Sequence, residues 1–387
     1  MSFRTISALI LLSVLPSMTL AQKLPEKLTA SELQARGAQR FEEGLPADLA
    51  IVEGPRGPVH TTKWLDGAEF RHSVGAYVSD QAAYHLRFIV HFQSPEHRPF
   101  AERAGRFLGV LWGLANRRFA GAVSRLREAP ISVWMTREGA PGAEQHAANL
   151  FIYNVLSSRS GIEWARELAH EYGHYVLPGA TGYTHPESWS NGLLGERLFI
   201  HWLLQELTIG RIKQDALPFV TTKEAQDYCD RQVFPLIDPV RTRGPQPALI
   251  SGSDEKALDA LTGLMVYIDA TYGSPALLQL NEYLPAGRMQ TPQGIDFLVA
   301  FITWTREEPV QTINLPSSGA TMVYLSRGEF ALRQESGRPG KLSLNGGAIQ
   351  GSDGEWSIRV PVAGWRTLSL ADAGKSATIR LQRRGAG

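Results

Sequence analysis

At 170 to 174 the chain reads His-Glu-Tyr-Gly-His. On a helix, His170 and His174 stand one turn apart on one face and can converge on a single tetrahedral ion. Glu171 projects about 100° round the axis, beside them. The flanking residues provide the helix: Ser158 or Ser160 can cap its start, and Pro178-Gly179 stops it soon after His174. Trp164, Leu168, Tyr172 and Tyr175 recur at three- and four-residue steps as an apolar stripe. A metal face and a core face therefore share one helix.

This is the HExxH signature of zinc hydrolases, in which the glutamate is the general base of a metal-activated water and not a ligand. Catalytic zinc takes three protein donors and leaves the fourth position open, so a third donor must follow. Where a metzincin would have its third histidine the chain has Ala180, which excludes that class. Glu196 lies in Asn191 to Leu203, which reads as a second helix, and His185 and Glu187 are weaker candidates. With HExxH and Glu196 the chain resembles the gluzincins, thermolysin-like and aminopeptidase-like zinc peptidases whose third ligand is a glutamate on the following helix. The resemblance spans roughly residues 80 to 305, and its specific part is these few residues. It implies Zn2+ held by His170, His174 and Glu196. The chain departs from the family in having Ser190-Asn191-Gly192 where aminopeptidase-like members carry Asn-Glu-Gly. It also has Ile200 where thermolysin-like members carry a histidine-orienting aspartate.

The preceding segment has the order expected of a zincin upper lobe. Tyr84 to Phe92 alternates as a half-buried strand, Ser94 to Phe119 follows a helical period, and Ile131 to Thr136 and Leu150 to Leu156 read as two more strands. Zincins commonly hold an extended substrate against the strand before the metal helix, and Asn149 to Asn154 is the candidate here, the alternative being an ordinary internal strand. The oxyanion formed on hydrolysis needs a further donor. Tyr183, on a glycine-flanked loop, is the residue named for it, with His185, His201, Tyr267 and Tyr272 as other possibilities. His201 sits in an apolar stripe and reads as structural. Pro235, Pro239, Gly244, Pro245 and Pro247 mark a loop, after which Ser253-Asp254-Glu255 opens a helix belonging to a lower, helical lobe.

Beyond about residue 310, short alternating runs separated by glycines replace the helices, predicting a small antiparallel β domain. Its Trp356 and Trp365 belong to a core or, less commonly, to a sugar-stacking surface. At the other end, Arg4, the apolar stretch Ile6 to Leu15 and Thr19-Leu20-Ala21 read as a secretory signal peptide cleaved after Ala21. No later run is long enough to span a bilayer. Lys and Arg total 39 against 38 Asp and Glu, so the net charge of +1 gives no case for nucleic acid or an anionic membrane. Cys229 is the single cysteine and can form no internal disulfide.

The fold class expected is α+β: a zincin-like two-lobed metallopeptidase core followed by an all-β domain. The boundaries are a signal peptide at 1–21, an N-terminal segment at 22–75, a catalytic domain at 76–309 whose upper lobe ends near 180, and a β domain at 310–387. The expected function is a secreted or periplasmic zinc metallopeptidase acting on peptide or protein substrates, with Glu171 as base. The alternative is an inactive zincin-like scaffold that binds a surface partner or glycan through the β domain.

Overall fold

The computed structural model describes residues 23–384 apart from 61–64, 66–67, 81–82, 120, 338–339 and 372–375. The leader expected at 1–21 lies outside the described residues. The architecture is α+β, with one mixed sheet, a set of helices and a C-terminal pair of antiparallel sheets.

The first ten strands are β1 (Lys27–Leu28), β2 (Gln39–Phe41), β3 (Leu49–Glu53), β4 (Val59–His60), β5 (Glu69–Phe70), β6 (His72–Asp80), β7 (Ala83–Phe92), β8 (Ile131–Met135), β9 (Gly142–His146) and β10 (Asn149–Tyr153). The main sheet runs β2-β3-β6-β7-β8-β10-β9, with β1 also on β7 and β4–β5 a separate pair. Much of the segment from 22 to 75 is thus built into the sheet, since Leu49, Ala50, Ile51 and Val52 are all buried there. At the other end β8 and β10 are parallel, and β9 closes the sheet antiparallel to β10. The strand Asn149–Tyr153 is therefore internal, and among the described residues the sheet ends at β9. Gly142-Ala-Glu-Gln-His146 shows no apolar alternation because all five residues are half-buried beside an open cleft.

The helices are α1 (Ala30–Ala35), α2 (Arg98–Arg118), α3 (Gly161–Val176), α4 (Asn191–Thr208), α5 (Thr222–Gln232), α6 (Phe234–Arg243), α7 (Pro247–Ile250), α8 (Glu255–Tyr272), α9 (Ser274–Gln279) and α10 (Gly294–Glu307). The apolar stripe of α2, including Phe100, Phe107, Leu108, Leu111 and Trp112, is buried against β6 and β7. Of the two candidate caps for α3, Ser160 serves: the Glu163 carboxylate accepts from its N–H at 2.8 Å and its hydroxyl at 2.7 Å. The proline-rich stretch expected as a loop is instead α6 and α7. Pro235 and Pro247 sit in first turns, where the missing N–H has no intrahelical partner in any case.

α3 and α4 cross with their backbones in contact. A Cβ on Gly173 would lie 2.6 Å from both Gly195 Cα and Asn191 O, and one on Gly195 would lie 2.5 Å from Gly173 Cα. The glycine inside the histidine motif is thus required by packing as well as by spacing. Gly195→Ala is expected to push the helices apart, costing about 1–3 kcal/mol and lowering the thermal midpoint by about 2–10 °C. Circular dichroism melts of the variant would check this, and an unchanged midpoint would contradict the crossing.

The C-terminal strands are β11 (Val310–Leu315), β12 (Ala320–Leu325), β13 (Gly328–Ser336), β14 (Leu342–Leu344), β15 (Gly347–Ala348), β16 (Gly351–Ser352), β17 (Glu355–Val360), β18 (Gly364–Leu370) and β19 (Ala377–Arg384). They form the sheets β11-β19-β13-β17-β16 and β12-β18-β14-β15. Trp356 is buried. Trp365 packs on Phe301, Tyr267 and Tyr324 at ring distances of 5.8, 6.3 and 5.7 Å, joining these sheets to α8 and α10. Both tryptophans therefore serve packing, and the sugar-stacking surface is not formed. Cys229 is buried and without a disulfide, and burial pushes its thiol up to about 12. Among the described residues no helix is long and apolar enough to cross a membrane.

Candidate metal centre

The cleft has a volume of about 2000 Å³ and lies between the edge strand β9, the cleft face of α3, the loop from 177 to 190 and the segment from 275 to 292. His170, Glu171 and His174 line it, while Trp164, Leu168 and Tyr172 on the opposite side of α3 are buried.

The third donor facing the histidines is Glu187. Its Oε2 lies 3.1 Å from Nε2 of His170 and 3.1 Å from Nε2 of His174, and is buried with no hydrogen bond of its own. Its Oε1 accepts from the Leu193 N–H at 2.8 Å, which fixes the carboxylate at the end of the loop. These three residues are the group, among the described residues, that could hold a metal ion. Glu196, expected as the ligand, lies behind His170: its Oε2 is 3.7 Å from Nδ1, on the far side of the ring from Glu187. The reason is register, because α4 passes so close to α3 at Gly195 that the next residue reaches Nδ1 and not the open side of the ring. His185, the other candidate, is exposed.

The orientation of His174 follows from its neighbour. Asn191 donates through Nδ2 to His174 O at 3.0 Å, so its Oδ1, 2.9 Å from His174 Nδ1, is the acceptor. The ring proton therefore sits on Nδ1 and the Nε2 lone pair points at the centre. With Glu187 Oε2 and His170 Nε2 directed to the same place, acceptor atoms crowd together, an arrangement that a cation or proton must occupy to be stable. Gly192 keeps the space clear. A Cβ there would lie 2.3 Å from His174 Nε2, 2.4 Å from His170 Nε2 and 2.6 Å from Glu187 Oε2. Two imidazoles and one carboxylate, with their far sides hydrogen-bonded or ion-paired, form a donor set suited to zinc.

Charge holds this cluster together. Burial opposes the His170 imidazolium, but Glu187, Glu196 and Glu171 outweigh it and hold the ring up at about 10. Burial likewise opposes the Glu187 carboxylate, but His170 and His174 hold it down at about 2. In the ion-free protein a proton thus occupies His170 at neutral pH, and an ion must displace it. Uptake of a divalent metal at this group is expected to release a proton from His170, so that affinity rises with pH. Calorimetry in buffers of different ionisation enthalpy reads this directly, and uptake with no proton released would contradict it. Glu171 is buried, and its desolvation lifts the carboxyl to about 7, near the working range of a general base.

The tyrosines expected near the reacting carbonyl are elsewhere. Tyr183 is buried, and a Cβ on Gly294 would lie 2.6 Å from its hydroxyl, so it packs beside α10; it does not line the cleft. Tyr267 and Tyr272, both on α8, and His201 are buried, and none of them nor His185 lines the cleft. What does line it, besides the metal group, is β9 with Glu144 and His146, the aromatic rings of Trp134 and Phe151, and the exposed Trp189 and Met289.

No protein-family model matches the chain, and no curated protein matches its sequence. Among solved structures, Legionella pneumophila aminopeptidase A in complex with aspartic acid aligns with it at a TM-score of 0.33 and 10% identity, over 86% of this chain. The chain matches 40% of the length of that aminopeptidase.

Proposed function

We propose that this chain is a secreted, zinc-dependent peptidase of the zincin kind, with His170, His174 and Glu187 as the metal donors and Glu171 as general base. The observation that carries the reading is the convergence of the three donor atoms beside a buried carboxylate, inside a cleft edged by β9, the last strand of the main sheet. A zinc ion held there would polarise a scissile carbonyl and acidify a water.

The chain's own groups supply the rest. Glu171, raised toward neutrality by burial, takes a proton from the attacking water and delivers it to the leaving amine. An extended peptide would pair along β9 at the end of the sheet, which favours a peptide substrate over a compact one. Trp189 and Met289 give the wall of the cleft apolar surface for substrate side chains. This assignment replaces Glu196 with Glu187 in the ligand set and leaves Tyr183 without a catalytic role. Secretion rests on the leader-like residues 1–21.

The test is elemental analysis of purified mature protein after zinc supplementation, with Glu187→Ala in parallel, followed by a peptide-library digest. One zinc in wild type, lost in the variant, together with peptide cleavage is the expected result. Absence of zinc from wild type would overturn the proposal. Zinc with no cleavage of any peptide would reduce the protein to a metal-binding scaffold.

A further inference from the structure

Glu196 is buried at the crossing of α3 and α4 and is held by more donors than a structural carboxylate needs. Arg166 Nε at 2.6 Å, Arg197 Nη1 at 2.6 Å and the Tyr228 hydroxyl at 2.7 Å all donate to the same oxygen, Oε1. Arg197 is itself anchored through Nη2 to Gln232 Oε1 at 3.1 Å, and α5 brings Tyr228 to the same place. Oε2 takes part in none of these bonds and faces His170 Nδ1 at 3.7 Å.

We propose that Glu196 is a positioning residue that selects the tautomer of His170, a role that rests on the metal-centre reading above. Three donors on Oε1 fix the rotation of the carboxylate, so that the free oxygen, an acceptor only, meets Nδ1. The ring nitrogen opposite an acceptor carries the proton, and the Nε2 lone pair is turned to the centre. His174 reaches the same state through the Asn191 amide oxygen. The two histidines are thus oriented by different means, one by a neutral amide and one by an anion with two guanidinium partners.

The consequence is specific to the pattern of donors. In Glu196→Gln the three donors at Oε1 still demand an acceptor, so the amide oxygen takes that position and its NH2 turns toward His170. A donor then faces Nδ1, which must accept, and the proton moves to Nε2, where it blocks the centre. Glu196→Ala presents nothing to Nδ1 and leaves either tautomer open. The isosteric variant is therefore the more damaging one, the reverse of what a purely structural role would give.

Zinc affinity measured by chelator competition on the full-length mature protein, with the visible spectrum of the cobalt(II) form, tests this. Glu196→Gln is expected to bind about 100-fold more weakly than wild type and Glu196→Ala about tenfold, the latter keeping a tetrahedral cobalt spectrum. Tyr228→Phe leaves both guanidinium groups on Oε1 and is expected within about threefold of wild type. An affinity of Glu196→Gln equal to or above that of Glu196→Ala would overturn the tautomer role. So would loss of the tetrahedral cobalt spectrum in Glu196→Ala with retention in Glu187→Ala, which would make Glu196 a ligand. Should Glu196→Ala not fold, Glu196→Gln binding as well as Tyr228→Phe overturns the role equally. Failure of wild type itself to bind zinc defeats the metal centre and is distinct from all of these.

Discussion

Gly192→Ala is expected to weaken the zinc binding proposed above while leaving the protein folded. The added methyl would stand 2.3, 2.4 and 2.6 Å from the three donor atoms, inside the contact distance of each. Relief requires α4 to retreat or the donors to spread, and either change spoils the convergence that an ion needs. Overpacking of this kind costs about 1–3 kcal/mol or more; taken from the binding free energy, that is a loss of about fivefold to more than a hundredfold in affinity. Gly192 lies in the first turn of α4, and alanine favours helix there, so the fold itself is not threatened. Chelator competition alongside circular dichroism separates the two effects. Retention of wild-type affinity would mean that the donors do not meet where the structure puts them.

If the chain is the peptidase proposed, Glu171→Gln is expected to keep zinc and lose turnover. The amide matches the carboxylate in shape but cannot accept a proton, and removal of a general base lowers kcat by about 10²–10⁴-fold. Substrate binding is left unchanged, so KM moves little. The pH profile gives a second reading. Burial lifts Glu171 to about 7 in the ion-free protein, and a divalent cation beside it favours the ionised form and moves it down. The acid limb expected of the proposed activity therefore lies below pH 7, and the residual activity of the variant is expected to lack that limb. Peptidase assays across pH 4 to 9 on protein of verified zinc content provide the check. A variant as active as wild type would remove Glu171 from the chemistry.

Local order was readable in the residues wherever a pattern is periodic. The strand at 84–92, the long helix after Pro95, the metal-motif helix with its start at Ser158 or Ser160 and the helix opened by Ser253-Asp254-Glu255 are found at Ala83–Phe92, Arg98–Arg118, Gly161–Val176 and Glu255–Tyr272. Each carries its own signal, either an apolar face at the right period or a cap that satisfies the first N–H groups. β9 was not readable, because an edge strand beside a cleft buries neither face and has no alternation to show. α6 was concealed by its prolines, which read as loop residues although one of them occupies a first turn.

The motif at 170 to 174 already specifies the chemistry available: two imidazoles on one helical face with a carboxylate beside them, set by a spacing that depends only on the helix repeat. It did not determine which later carboxylate meets the open side of those rings. Glu187 and Glu196 are both within reach along the chain, and the choice between them is made by how closely two helices pack. At Gly173 and Gly195 the backbones touch, so Glu196 falls behind His170 while the loop before α4 folds Glu187 onto both Nε2 atoms. Interhelical distance is a property of the packed pair and not of either segment, so it is settled when the helices pack and not before.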